Sequence, residues 1–69
     1  MRLLVFDTTH HALWAEELAR ERGLAAEVVP SPAAARAKCD LALEFLPSEQ
    51  DMLFQVLAEA GVTFRLFEN

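Results

Sequence analysis

Twice along this chain a short apolar run leads into an amphipathic helical stretch, a glycine and a second apolar run, and few folds accommodate that order. Met1 to Phe6 is apolar, and Asp7-Thr8-Thr9 stops it with residues that favour turns and helix caps, which predicts a first strand buried on both faces. Thr8 or Thr9 offers an N-cap hydroxyl to a helix from about His10 to Arg22, and Gly23 supplies the left-handed residue that ends it. Ala12, Ala15, Leu18 and Ala19 fall on one stripe of that helix, small enough to sit close to a sheet, while Glu16, Glu17, Arg20 and Glu21 form its wet face.

Leu24 to Val29 reads as a second strand that Pro30 closes. Leu41 to Leu46 reads as a third, with Leu41, Leu43 and Phe45 on one face. Pro47 ends it, Ser48 and Asp51 resemble a capping box, and the second helix presents Leu53, Val56, Leu57 and Ala60 before stopping at Gly61. Val62 to Phe67 completes the set as a fourth strand. The order βαββαβ, with short connections and right-handed crossovers, predicts an α+β ferredoxin-like sandwich: a four-stranded antiparallel sheet with two helices on one face. Residues 1–69 form one domain in this reading, with no linker or second unit.

Composition narrows the function classes. Apolar residues make up 54% of the chain and charged residues 25%, a globular balance. The formal charge of −5 repels phosphate backbones and anionic headgroups, so neither nucleic acid nor membrane is the expected partner. Leu3 to Phe6 is far shorter than a signal-peptide core of about 7 to 15 residues, and a cytoplasmic location is expected.

Pro30 to Asp40 breaks the strand and helix pattern and carries the single cysteine, Cys39. One cysteine makes no internal disulfide, so the thiol is either buried filler or functional. One helical turn over Ala33 to Lys38 fits the local propensities, and Ala33-Ala34-Ala35 with Arg36 and Lys38 reads as a solvated turn. In the predicted topology the end of the first strand, this loop and the Gly61 turn emerge at one end of the sheet, bringing Asp7 to His11 towards Cys39. Arg36, Lys38, a protonated histidine and a helix N-terminus favour a thiolate there, and Asp40 opposes it.

His10 and His11 read either as solvated first-turn residues or as groups facing Cys39. A metal site is not expected, because successive helical residues diverge by about 100° and both histidines would hardly bind one ion. The only glycines are Gly23 and Gly61, so no phosphate-binding loop is present and no cofactor is expected. Trp14 and Phe54 lie off the core stripes, as rim packing or as a partner surface. The sheet face away from the helices, and Leu46, suggest a homodimer through sheet or edge.

The chain resembles the small bacterial domains of unknown function described as selenium/sulfur carrier-like (DUF3343). The resemblance spans nearly all of it: Thr9-His10, Ala12-Leu13, Ala15-Glu16 and Leu18, Gly23-Leu24, Pro30 and Pro32 ahead of Cys39, Leu41-Ala42-Leu43, and Ala60-Gly61-Val62. In that family an arginine follows the second proline and a glycine follows the cysteine, where this chain has Ala33 and Asp40. The resemblance implies that Cys39 carries sulfur or selenium as a persulfide or selenenylsulfide between donor and acceptor proteins, without turnover of its own. Thr9, His10, Pro32, Lys38 and Asp40 are the supporting residues it suggests, with no metal. The alternative is a non-catalytic regulatory or protein-interaction module with a structural cysteine.

Overall fold

A computed structural model describes residues 2–68; Met1, the start of the expected first strand, lies outside them, as does Asn69. Strands β1 (Arg2–Val5), β2 (Glu27–Pro30), β3 (Leu41–Phe45) and β4 (Arg65–Glu68) and helices α1 (Thr9–Glu21) and α2 (Gln50–Ala60) follow in the order β1-α1-β2-β3-α2-β4, and 3₁₀ turns occupy Ala33–Ala35 and Pro47–Glu49. The sheet order is β2-β3-β1-β4 with every pairing antiparallel, which is the ferredoxin-like α+β arrangement the sequence order predicts. Central β1 places Leu4 opposite Leu43 of β3 and Leu66 of β4.

Strand alternation sorts these side chains onto two faces. On one, Leu4, Phe6, Leu43 and Phe45 pack with Ala12, Ala15 and Ala19 of α1 and with Leu53 and Leu57 of α2. Leu4, Leu43, Leu53 and Leu57 are fully buried, each contributing about 1.5–3 kcal/mol by removal from water. On the other face Leu3, Val5 and Ala42 form a second cluster, covered in part by Ala35 and Ala37 of the β2–β3 loop. The expectation that β1 is buried on both sides is met, but the chain itself supplies the cover on the second.

Both helices close with the same backbone pattern. Gly23 N–H donates to the Arg20 carbonyl and Leu24 N–H to that of Ala19; Gly61 and Val62 repeat this to Ala58 and Leu57. These bonds need a left-handed glycine, which Gly23 (φ 73°) and Gly61 (φ 79°) provide, and they turn Leu24 and Val62 into the core. The residues after each glycine are thereby committed to ending a helix. The second and fourth strands accordingly begin later than expected, at Glu27 and Arg65.

The helix starts differ from each other. Thr8 is the N-cap of α1, its Oγ1 accepting from His11 N–H at 3.1 Å. The expected Ser48–Asp51 capping box is not formed, because Pro47 opens a 3₁₀ turn that holds Ser48 and delays α2 to Gln50. Glu49, which precedes the helix, instead accepts from Ala25 N–H at 2.9 Å. Glu16 also departs from its expected place on the wet face: its carboxylate accepts from Val28 N–H at 2.9 Å. That bond blocks a free donor on edge strand β2, where another chain would otherwise pair. Phe54 packs at the core margin, 4.8 Å from Phe64 and 6.1 Å from Phe45 between ring centroids, so it is rim packing.

Candidate functional site

The β2–β3 connection is a closed excursion. Ser31 N–H donates to the Asp40 carbonyl at 2.8 Å, extending the ladder by one bond and pinching the loop at its base. Pro32 holds an extended conformation and its carbonyl accepts from Ala35 N–H, starting the 3₁₀ turn. Arg36 then reverses the chain in the left-handed region (φ 50°, ψ 41°), which costs a residue with a Cβ about 1–2 kcal/mol.

Something must hold that conformation, and two contacts do. Ala35 is buried against Leu3, Val5 and Ala42, and the Arg65 guanidinium of β4 donates to the Ala35 carbonyl. The loop therefore lies as a strap across the back of the sheet, reaching from β2 to β4. This corrects the expected solvated turn: Ala33 and Ala34 are exposed, but Ala35 is not. An alanine run suits the role, because a larger side chain at Ala35 would lift the strap from the sheet.

From the strap the chain returns to Cys39, which is half-buried and packs against the helix-side core. Its thiol donates to the Leu41 carbonyl at 3.1 Å. Cys39 borders a cavity of about 360 Å³ together with Pro32, Ser31, Arg36 and Asp40. The Ser31 Oγ is buried without a hydrogen-bond partner among the described residues. The cavity thus sets one thiol beside a guanidinium-bearing residue, a hydroxyl-bearing residue and a carboxylate-bearing one.

Of the residues singled out in the sequence, Pro32 and Asp40 share this cavity with Cys39. Lys38 faces the end of β1, its Nζ 3.9 Å from Asp7 Oδ1, with both side chains largely exposed. Thr9 is exposed in the first turn of α1. His10 borders a separate cavity with Leu13, Trp14 and Glu17, which shares no lining residue with that of Cys39. The topology does bring the end of β1 to the loop, but through Asp7 rather than the histidines. Arg36, expected from the sequence to favour a thiolate, does border the Cys39 cavity, whereas Ser31 and Arg65 went unselected: a loop serine and a surface-type arginine carry no spacing signal, and Arg65 acts on a main-chain carbonyl thirty residues away.

Among the described residues no group of three His, Cys, Asp or Glu side chains is arranged to hold a metal ion, and no helix is long and apolar enough to cross a membrane. The fold and the loop together define a small α+β domain that displays one cysteine on a closed loop. The chain belongs to the Se/S carrier protein-like family, since the family model described as "Putative Se/S carrier protein-like" matches residues 1–67. No curated protein and no solved structure matches it.

Proposed function

We propose that the protein is a sulfur or selenium carrier whose Cys39 holds the chalcogen between a donor and an acceptor protein. One observation supports this above the others: a chain of this family has a single cysteine, and that cysteine borders a cavity shared with Arg36. In the loading step the Cys39 thiolate attacks the outer sulfur of a donor persulfide. A new S–S bond forms, the donor's S–S bond breaks, and the donor leaves as a thiolate while the terminal sulfur keeps its proton. An acceptor thiolate reverses the exchange in unloading, so neither step needs an external oxidant or reductant. Selenium enters by the same exchange as a selenenylsulfide.

Once the terminal sulfur has given its proton to solvent, Arg36 is the group suited to stabilising the persulfide anion, with Ser31 as an auxiliary donor and Asp40 keeping the loaded state from being held too tightly. Pro32 fixes the loop, Lys38 anchors its far end on Asp7, and Thr9 and His10 belong to the surface a partner meets rather than to the thiol. Donor and acceptor proteins are the partners of this reading, and the reducing cytoplasm is its setting, where a lone thiol stays free. Incubation with a cysteine desulfurase and cysteine should add the mass of one sulfur atom to the intact protein and none to Cys39→Ser. An unchanged mass for the unsubstituted protein, under conditions where the desulfurase itself is loaded, would sink the proposal.

A further inference from the structure

A second concave site lies on the other side of the strap. Phe6 and Asp7 at the end of β1, Arg36 and Lys38 of the loop, and Thr63 and Arg65 at the start of β4 border a cleft of about 350 Å³. Arg36 also borders the Cys39 cavity, so the two sites share a wall. The cleft gathers three of the six basic residues of a chain whose net charge is −5. Surface charges of one sign are ordinarily interspersed, because close cations repel one another. Here the one carboxylate in the lining is Asp7, 3.9 Å from the Lys38 ammonium.

One of the three cations is oriented by a hydrogen bond, and a second sits on a backbone of fixed shape. Arg65 is tethered through Nη2 to the Ala35 carbonyl, which orients the guanidinium and leaves its other N–H groups to donate elsewhere. Arg36 occupies the left-handed region, where glycine or asparagine would be at ease and an arginine is held against its preference. Thr63 adds a hydroxyl to the lining. We propose that this cleft binds a small multivalent oxyanion of the phosphate type, free or as the phosphoryl end of a small metabolite. The acidic remainder of the surface disfavours extended polyanions, so the ligand is small. The site is distinct from the thiol and does not depend on the carrier reading.

The test titrates inorganic phosphate, and separately a glycerol phosphate, into isotope-labelled full-length protein while NMR follows the amides, with ionic strength balanced by sodium chloride. Saturable shifts confined to Asp7, Arg36 to Lys38 and Thr63 to Arg65 are expected. Lys38→Gln and Arg36→Asn should each weaken binding by roughly two- to fivefold, the size of a partly exposed charge contact. Asparagine tolerates the left-handed conformation, so its loss of affinity reports charge rather than misfolding. Cys39→Ser should bind as the unsubstituted protein does, which separates this site from the carrier role. Tighter binding of the ester identifies a phosphorylated metabolite; equal or tighter binding of phosphate identifies the free oxyanion. Shifts that chloride alone reproduces, that fail to saturate, that fall elsewhere, or that survive both charge removals undiminished overturn the proposal.

Discussion

The two faces of the sheet are covered by different means. The helix side is sealed by α1 and α2, whose Ala12, Ala15, Ala19, Leu53 and Leu57 interdigitate with Leu4, Leu43 and Phe45. The back is sealed, near the Cys39 end, by a strap with little besides Ala35, Ala37 and one arginine bond to hold it. A cover made of two helices opens only with the whole fold, whereas one made of a short loop is free to open locally. Cys39 sits between the two regimes: its side chain packs on the helix-side core, and its backbone belongs to the strap. The asymmetry therefore gives the thiol a floor that opens only with the fold and a rim that opens locally, which is what the carrier role proposed above requires.

The comparison is tested hardest on the helix side. Leu43→Ala removes a fully buried side chain that meets both helices' cluster, and should cost about 3–5 kcal/mol, enough to unfold much of a domain this small. Denaturant titration reads it; a loss below about 1 kcal/mol would mean that the helix-side core is not the source of stability.

Arg65→Gln should weigh less and act only on the other face. Losing the bond to the Ala35 carbonyl is expected to cost about 1 kcal/mol, to speed amide exchange at Ala35 to Ala37, and to leave the exchange of Leu4 and Leu43 unchanged apart from that loss. Uniform acceleration across the protein would show that strap and core open together. The smallest effect has the opposite sign: Arg36→Gly removes the left-handed penalty at φ 50° and should stabilise the protein by about 0.5–1 kcal/mol, net of the added freedom of the unfolded chain. Destabilisation would show that the Arg36 side chain, not its backbone, holds the strap.

Much of the fold was legible in the sequence because its signals are local or periodic. The alanine and leucine stripes gave the helices, Gly23 and Gly61 their ends, and the alternation of Leu41, Leu43 and Phe45 the third strand. The starts of β2 and β4 were not legible, since Leu24 to Ala26 and Val62 to Phe64 have strand composition but serve the helix ends and the core entry. The strap was hidden for a different reason. Its hold on the sheet comes from two alanine methyls and one arginine distant in sequence, and neither kind of contact leaves a pattern among neighbours. For the site, Cys39, Pro32 and Asp40 were visible as oddities within one loop, but the separation of His10 from that loop depends on where each side chain lies around α1.

Everything proposed for Cys39 requires that its thiol be reached without unfolding the protein. Alkylation of the native protein with iodoacetamide, followed by intact mass across a series of sub-denaturing urea concentrations, measures this directly. Labelling of Cys39 is expected in the absence of urea, slower than that of a free thiol because the S–H group is bonded to the Leu41 carbonyl, and faster in Arg65→Gln. Labelling that appears only in step with global unfolding would make Cys39 an inert part of the core and contradict the carrier role.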